Sequence, residues 1–526
     1  MRATVHKSKA APHQSPELGP VVHSNPLREA REQLEQAEAL RQARKFDRAE
    51  SICATLVRRY PDYFGAQHTL GLIYADKGDY RRAAGCLTHA AMLNPRSWST
   101  QTALAGVYVR LDANEMAAHT LERARALNPK EPAVLVTLGE IYSEEREYEL
   151  AREAYREALR VEPGMEEAAL GLAQACVSLG ENVEAAEALD DLLKRGVRSL
   201  AVLSVLVTLP ATVIRRDVLA ELPKVVRRAD EEKTEFESGV AFVRAAALDS
   251  AGRHAEAWEQ MLAANRPLAA EKKNELAENI ARRQASLKWL QATSVRAAAG
   301  DKTLPISLFI LGPSRSGKTT MEALVGMLEG VKRGYENPSV DNAISRTYQD
   351  AGLLTTYTLD YLPPQFYPQV RKIYAAELVQ RGGSARVFTN THPGYIHEAG
   401  RFVQTLANVR FLFVKRNLDD VVLRMFMRLY RRGNSYAYDL SAARAYIEWY
   451  DQIADLLVAK LPEIVRVVRY EDIVADPRMA LRTAADLCGL PMTDKPPPAL
   501  GDDRNCAAPY RELMMTELGR RQKSSA

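Results

Sequence analysis

A repeat of 34 residues fills the first third of the chain and restricts its fold more than any other feature. Small residues in fixed columns let two antiparallel helices pack closely, large apolar residues fill the space between them, and proline ends the second helix. A single unit cannot bury its apolar face, so the repeats predict a stacked superhelix with a concave face. Three successive units share these columns: Leu70, Gly71, Tyr74, Ala83, Leu87, Ala90 and Pro95, then Leu104, Ala105, Tyr108, Ala117, Leu121, Ala124 and Pro129, then Leu138, Gly139, Tyr142, Ala151, Tyr155, Ala158 and Pro163.

The repeat resembles the tetratricopeptide repeat (TPR) family over residues 29–196. The resemblance implies an α-solenoid that holds a peptide or a partner protein, while a rigid spacer and a homodimerisation platform stay open as alternatives. Residues 197–300 predict degenerate helical repeats that connect the array to the next domain. Residues 1–28 predict a disordered leader, and residues 516–526 a flexible tail.

Composition and charge indicate the class of partner and the compartment of this chain. A net charge of +4 over 526 residues argues against a dedicated nucleic-acid binder. The five cysteines lack metal-ligand spacing and disulfide density, which favours a reducing compartment. No apolar run approaches the ~20 residues of a membrane helix, and the N-terminus lacks the apolar core of a secretory signal. We therefore expect a cytoplasmic protein with no membrane span.

From residue 301 the pattern changes to alternating strands and helices, which predicts an α/β domain over 301–515 with a mainly parallel sheet. Ligands of such sheets bind at the carboxyl ends of the strands. Chemistry-bearing residues follow three of these strands: a glycine-containing loop, His392 and Arg416. The four apolar runs that we interpret as strands are 304–312, 385–391, 409–417 and 464–470.

The glycine-containing loop, Gly312 to Thr319, satisfies the P-loop pattern G-x-x-x-x-G-K-[ST]. A strand, a tight loop and a helix N-terminus together form a concave anion site with partial positive charge behind it. Glycine lets the backbone approach a phosphate, arginine and lysine add positive charge, and threonine adds a hydroxyl donor. We therefore predict that the loop binds phosphate through Arg315, Ser316, Gly317, Lys318 and Thr319 or Thr320.

The same loop resembles the 5′-phosphosulfate loop of sulfotransferases, whose usual form is P-[RK]-S-G-T-T before a helix. Two positions depart from that form, since Ser314 replaces the usual Pro and Lys318 the usual first Thr. The resemblance implies that the donor is 3′-phosphoadenosine-5′-phosphosulfate (PAPS). The matching residues are Gly312, Arg315, Ser316, Gly317 and Thr319.

A second segment, 409–426, resembles the 3′-phosphate segment of sulfotransferases, a strand ending in R-[DN]-P-x-D-x-x-x-S. Arg416, Asn417 and Asp420 match, Leu418 replaces Pro, and Arg424 stands at the usual Ser. The resemblance implies that Arg416 and Arg424 bind the 3′-phosphate of PAPS, because paired arginines suit a dianion. For Arg424, a solvated helical charge is the alternative.

A third segment, 468–491, resembles the family's Y-E-D-L-x-x-D-P stretch and the helix after it, with Tyr470 and Asp472 in structural roles. The order of repeats, connector and phosphate loop is similar to that of bacterial TPR-containing sulfotransferases. The chain is thus expected to be a PAPS-dependent sulfotransferase that acts on a hydroxyl acceptor. The array favours a peptide or another long acceptor such as a saccharide.

Sulfuryl transfer needs cations at the leaving phosphate and a base for the acceptor hydroxyl, but no metal. Lys318 and Arg315 can supply the cations. Glu336 resembles the catalytic Glu of protein-tyrosine sulfotransferases, and His392 the T-H-x-P histidine of cytosolic ones, so both remain candidate bases. In TPR-bearing relatives a Lys would fall at Thr391, and we expect Lys318 to compensate for it. His397 and Glu398 match no role and are expected at the surface.

Two other functions fit parts of the pattern. Lys318 completes a Walker A motif, which would suit a P-loop kinase or nucleotide triphosphatase using Mg-ATP. That class usually places a metal-binding Asp after a strand, whereas here the strand ends in Lys415-Arg416. The departures at Ser314, Thr391, Leu418 and Arg424 leave a non-catalytic TPR scaffold as the other alternative.

Overall fold

The computed structural model describes residues 25–111, 113–229, 231–353, 358–430 and 433–525. The chain divides after Val197 into two compact units. Of the predicted leader, residues 1–24 lie outside the described residues, and the first helix, α1, begins at Asn25. No helix in the described ranges is both long enough and apolar enough to cross a membrane.

The first unit is built from helical hairpins, five of which follow one another in its described residues. Each hairpin pairs an odd-numbered helix with the even-numbered helix after it, as the 34-residue period predicts. The helices are α1 (Asn25–Gln42), α2 (Phe46–Arg59), α3 (Phe64–Asp76), α4 (Tyr80–Leu93), α5 (Trp98–Arg110), α6 (Asn114–Leu127), α7 (Pro132–Glu144), α8 (Tyr148–Val161), α9 (Glu166–Leu179) and α10 (Asn182–Lys194).

The small-residue column of the repeat brings the helices of a hairpin together. A Cβ atom added to Gly71 would lie 2.6 Å from Leu87 of the facing helix, and one added to Gly139 would lie 2.6 Å from the ring of Tyr155. Leu87 and Tyr155 are both buried. A side chain at either glycine would therefore displace the residue that fills the hairpin core.

The second unit starts with helices that lie within the predicted connector. They are α11 (Leu200–Leu206), α12 (Val218–Glu221), α13 (Lys233–Ser250), α14 (His254–Glu271) and α15 (Lys273–Ala292). The apolar side of α14 packs into the same hydrophobic core as the sheet that follows, through Trp258 and Met261. Residues 198–300 thus belong to the same compact unit as the α/β domain.

The sheet of the second unit has five parallel strands in the order β2-β3-β1-β4-β5. They are β1 (Ile306–Leu311), β2 (Val331–Lys332), β3 (Val387–Asn390), β4 (Val409–Lys415) and β5 (Val465–Arg469). The central strand β1 pairs Ile306 with Val387 and Ser307 with Val409. The predicted fold class, a TPR solenoid followed by a P-loop-type α/β domain, is confirmed. The two-residue strand β2 was not predicted.

Helices cover both faces of this sheet, because alternate residues of a strand point to opposite sides. Phe309 and Phe411 belong to one core, whereas Ile310 and Leu412 belong to the other. The helices are α16 (Lys318–Val325), α17 (Ser339–Asp350), α18 (Tyr367–Gly382), α19 (Ala399–Thr405), α20 (Leu418–Phe426), α21 (Leu440–Lys460), α22 (Tyr470–Ala475), α23 (Pro477–Cys488) and α24 (Arg511–Ser525). Helix α24 runs through residues 516–525, where the sequence predicted a flexible tail.

Candidate functional site

The predicted phosphate loop connects the end of β1 to the start of α16, at the carboxyl edge of the sheet. Gly317 precedes the helix with φ 98°, a left-handed conformation that favours glycine, and a Cβ there would lie 2.5 Å from the Tyr470 ring. A Cβ on Gly312 would lie 2.2 Å from Ser316 Oγ. Both glycines of the motif are therefore required by close packing.

Within the loop, the predicted contact residues face different ways. Arg315 and Thr319 are exposed, and Thr320 is half-buried. Ser316 is fully buried, and its hydroxyl lies against Gly312 on the inner side of the loop. The structure therefore leaves the arginine and the threonines accessible to a ligand, while Ser316 packs beneath the loop.

Lys318 is the buried cation of the loop, with 8% of its surface exposed. Its ammonium lies 3.8 Å from Glu336 Oε1, and the Glu336 side chain is 40% exposed. Burial lowers the pKa of Lys318, although the nearby Glu336 and Glu322 favour its charged form. The structure thus brings together a predicted phosphate ligand and a predicted base.

Glu322, which the sequence did not single out, joins the surrounding loops to α16. Its Oε1 accepts a hydrogen bond from Tyr335 N–H at 2.8 Å and another from the Thr389 hydroxyl. Arg333 lies 3.6 Å from its second oxygen. The carboxyl is fully buried, and burial raises its pKa. One side chain, that of Glu322, therefore fixes two positions: Tyr335, which precedes Glu336, and Thr389 near the end of β3.

The loop that carries Glu336 and the loop that carries His392 are also bonded to each other. Thr391 N–H donates to the Tyr335 carbonyl at 2.7 Å, and Asn390 Nδ2 donates to the Asn337 carbonyl at 2.9 Å. His392 is half-buried, its N–H donates to Asn390 Oδ1 at 2.9 Å, and its ring lies 4.6 Å from Tyr395. The two loops that carry the candidate bases are thus hydrogen-bonded to each other beside the phosphate loop.

The two arginines predicted for the 3′-phosphate meet at a single carboxylate, Asp503. Arg416 Nη2 donates to Asp503 Oδ2 at 2.9 Å, and Arg424 Nη2 donates to Asp503 Oδ1 at 2.6 Å. Arg416 Nη1 also donates to the Arg315 carbonyl at 3.0 Å, which links the end of β4 to the phosphate loop. Arg424 is therefore not a solvated helical charge. The two arginines lie together, with a residue of the chain between them, and their binding of a 3′-phosphate stays a prediction.

Sequence reasoning missed Glu322 and Asp503 for different reasons. Glu322 interrupts an apolar run, since its neighbours Met321 and Leu324 are buried, and a charge at that place was a usable signal. Asp503 reaches its partners from 79 and 87 residues away, and no local pattern marks it. Only the path of the chain places Asp503 in the site.

The prediction that His397 and Glu398 lie at the surface is wrong. They are 7% and 6% exposed. Glu398 accepts hydrogen bonds from Leu359 N–H at 3.0 Å and Arg282 Nη2 at 3.2 Å. Burial raises the pKa of Glu398 to about 7 and lowers that of His397 to about 3. They follow Pro393 in a 3-10 turn that packs inward, so the polar sequence there did not indicate exposure.

One group in the described residues has the spacing of metal ligands, with Cys176, Glu181 and Glu184 within 4.8 Å of one another in the first unit. Both carboxylates are already paired with arginines, Glu181 with Arg152 and Glu184 with Arg156. The cluster is far along the chain from the phosphate loop and takes no part in the site described above.

Comparison with known proteins agrees with this division of the chain. Residues 305–494 match the model of the sulfotransferase family, and residues 34–85 and 142–206 match tetratricopeptide repeat models. A search of curated proteins gave no match. The matched segments cover the phosphate loop, both candidate bases and both arginines, while Asp503 lies beyond them.

Solved structures similar to this chain include MamA, YrrB and PilF of Pseudomonas aeruginosa. MamA is 24% identical with a TM-score of 0.29, over 30% of this chain and 93% of its own. YrrB, described as a TPR protein with an unusual peptide-binding site, is 19% identical with a TM-score of 0.31, over 32% of this chain and 88% of its own. PilF is 18% identical with a TM-score of 0.33, over 38% of this chain and 92% of its own.

Proposed function

The chain joins a tetratricopeptide-repeat region to a domain of the sulfotransferase family, and from that premise we propose that it transfers a sulfuryl group from PAPS to a hydroxyl acceptor. The observation that carries this proposal is the pairing of Lys318 with Glu336. A buried cation on a phosphate loop and an accessible carboxylate 3.8 Å away are the two groups that this reaction needs.

The residues of the loop fit an anionic donor. Lys318 is buried, yet among the described residues Glu336 is the one carboxylate within 4.0 Å of its ammonium, and 3.8 Å is too long for a hydrogen bond. A buried charge with so loose a partner is costly unless an anion completes its coordination. The N-terminus of α16 adds partial positive charge at the same place.

Bound PAPS would supply an activated sulfuryl group whose leaving group is a phosphate. Lys318 and the exposed Arg315 are suited to stabilise the negative charge that develops on the bridging oxygen. In TPR-bearing relatives a lysine would fall at the position of Thr391. Because Lys318 lies beside Glu336, it can take over the role of that lysine. The threonines at the start of α16, Thr319 and Thr320, add hydroxyl donors.

Glu336 is the favoured base and His392 the second candidate. Glu336 is the more exposed of the two, and the Lys318 ammonium beside it is suited to bind the donor phosphate close to this base. Glu322 positions both loops without itself reaching solvent.

The repeats support a peptide-bearing or other long acceptor, since TPR surfaces generally bind extended partners. The five cysteines are free, which is consistent with a reducing, cytoplasmic setting.

The test is sulfuryl transfer from sulfur-35-labelled PAPS to a panel of tyrosine peptides, saccharides and simple phenols. We expect the Glu336→Gln variant to lose about 10²–10⁴-fold in rate while it still binds nucleotide, because a general base contributes about that much. Glu329→Gln is the matched control, since Glu329 is exposed and lies seven residues before Glu336 on the same connection. Full transfer by Glu336→Gln, with loss in His392→Asn, would move the base to His392. If no acceptor of the panel receives a sulfuryl group, the result would count against sulfotransferase activity.

A further inference from the structure

Asp503 fills the space between the two arginines that were predicted to hold a phosphate. Besides the bonds described above, Arg424 Nε donates to both of its oxygens, at 3.2 and 3.1 Å. The Asp503 carbonyl accepts a further bond from Arg416 Nη2. A carboxylate of the chain thus satisfies donors arranged as they would be for an oxyanion ligand.

Arg416 is much more deeply buried than the carboxylate that it binds. The Arg416 side chain is 4% exposed, and its guanidinium lies 4.3 Å from the centre of the Tyr470 ring, whereas the Asp503 side chain is 33% exposed. Burial alone would raise the pKa of Asp503, but hydrogen bonds from Arg424 and Arg416 hold that pKa below its usual range. Asp503 is therefore an ionised group open to solvent on one side.

The charges around Asp503 do not balance. Arg416 and Arg424 share it, and Arg424 has one further acid, Asp249, with Oδ2 at 3.5 Å. Two more exposed arginines, Arg315 and Arg428, take part in no ion pair within the described residues. These four arginines carry more positive charge than Asp503 and Asp249 neutralise, so an anion of higher charge than a carboxylate is favoured there.

The segment that carries Asp503 is anchored on both sides. Asn505 N–H and Ala507 N–H each donate to the Asp420 carboxylate at 2.9 Å. On the other side, the Tyr470 hydroxyl donates to the Gly501 carbonyl at 3.3 Å. The Asp503 N–H also donates to the Tyr470 hydroxyl at 3.2 Å, so the backbone of Asp503 is held in place and its half-buried side chain is the part that can leave the arginines.

On the premise of the donor proposed above, we infer that Asp503 is an internal counter-anion that competes with the 3′-phosphate of the donor for Arg416 and Arg424. Asp503 then sets how tightly 3′-phosphorylated nucleotides bind. A phosphate with a charge of about −1.5 to −2 outcompetes a carboxylate with a single charge. Binding is nevertheless weakened by the fraction of time that Asp503 occupies the arginines.

The experiment compares the binding of 3′-phosphoadenosine-5′-phosphate (PAP) and of 5′-AMP by calorimetry to the full chain and two variants. Asp503→Asn is expected to bind PAP about tenfold tighter than the unaltered chain, with 5′-AMP changed by less than about twofold. The matched control is Asp502→Asn. Asp502 is paired with its neighbour Arg504, at 2.6 Å, so its loss removes the same charge without touching Arg416 or Arg424.

Three results would overturn this role. Unchanged or weaker PAP binding by Asp503→Asn would mean that Asp503 orients the arginines and does not compete for them. Equal gains for PAP and 5′-AMP, or the same gain in Asp502→Asn, would reduce the effect to overall charge. If neither nucleotide binds the unaltered chain or Asp503→Asn, the proposed donor itself is wrong, and that failure is distinct from the other two.

Discussion

Lys318 replaces a threonine of the usual phosphosulfate loop, and its surroundings explain what a lysine does there. The side chain is buried beside Glu336 instead of projecting into solvent. Burial lowers its pKa, so its charge is held at a cost that a bound phosphate would relieve. At the scale of single residues, Lys318 distinguishes this loop from the usual 5′-phosphosulfate loop, and it is the residue that the loop shares with Walker A motifs.

Replacing Lys318 should weaken nucleotide binding in a pH-dependent way. Lys318→Met is expected to lose about 10–100-fold in PAP affinity, because a hydrogen bond to a charged group contributes about 1.5–3 kcal/mol. In the unaltered chain, affinity should fall as pH rises through the lowered pKa of Lys318, before ordinary lysines titrate. Lys318→Arg should remove that alkaline fall, since arginine stays charged.

Binding measured across the alkaline range checks this, with Lys332→Met as a control at an exposed lysine near the site. An alkaline fall that persists in Lys318→Arg would contradict a role for the lysine charge.

Residues whose partners are near in sequence could be predicted, and residues whose partners are distant could not. The phosphate loop was predicted from its own pattern, and Glu336 from its resemblance to the catalytic Glu of protein-tyrosine sulfotransferases, 16 or 17 residues past the loop threonines. Asp503 and Glu398 depend on contacts across 39 to 116 residues. Such contacts follow from how the elements pack, which one sequence does not reveal.

Among the elements, α15 is tied to the α/β domain by a buried ionisable contact. Arg282 on α15 pairs with Glu398, and Arg401 of α19 stacks at 4.0 Å on the Trp289 ring of α15. The other charged group close to Glu398 is Asp360, which favours its protonated form. Because the pKa of Glu398 is about 7, the packing of α15 is sensitive to pH near neutrality.

The contribution of Glu398 to the stability of the second unit should therefore fall as pH rises through this range. A carboxyl whose pKa is raised on folding stabilises fully below its unfolded pKa, near 4.5, and loses that stabilisation as pH rises through about 7. Relative to Glu398→Gln, we expect the free energy of unfolding of the unaltered chain to drop by about 3 kcal/mol across that window. Buried His397, whose pKa is lowered to about 3, acts in the opposite direction up to its ordinary pKa and does so in both proteins.

Tryptophan fluorescence in denaturant checks this, since Trp258, Trp289 and Trp449 lie in the second unit. Glu463→Gln, at an exposed glutamate of the same unit, should keep the slope of the unaltered chain. The same pH dependence in Glu398→Gln as in the unaltered chain would rule out a contribution from Glu398.

In the repeat array, two glycines that each lie in the first helix of a hairpin should change the stability in opposite directions when replaced by alanine. Gly139→Ala is expected to destabilise the first unit by about 1–3 kcal/mol, since the added Cβ would lie 2.6 Å from Tyr155. Gly106→Ala, within α5 and with no atom within 4 Å of its Cβ, should stabilise it by up to ~1 kcal/mol. Unfolding followed by far-ultraviolet circular dichroism gives both values, and equal losses in the two variants would contradict the packing explanation.

The helices and most strands could be predicted because their periodicities are strong. The 34-residue period placed the hairpins, and the apolar runs around β1 and β4 marked the central strands. Strand β2 has only two residues and pairs with β3 at Val331 and Lys332, which is too short for a pattern. The inward packing of the segment after His392 depends on tertiary contacts and left no periodic signal.

At the scale of the whole molecule, the chain combines a repeat unit with an α/β unit that contains every residue of the candidate site. The connector helices belong to the second unit, so a fragment meant to retain nucleotide binding should begin near residue 198 and not near residue 301. The repeats are then the region expected to select the acceptor, and the α/β unit the region expected to bind the donor.

The most direct test of the proposed donor is equilibrium binding of PAP and of ATP to the full chain, each with and without Mg²⁺. We expect PAP to bind more tightly than ATP, without a metal, and with an affinity that EDTA does not change. A P-loop kinase or nucleotide triphosphatase would instead need Mg²⁺ with ATP. Tight binding of Mg-ATP without comparable binding of PAP, or binding of neither nucleotide, would contradict a PAPS-dependent sulfotransferase.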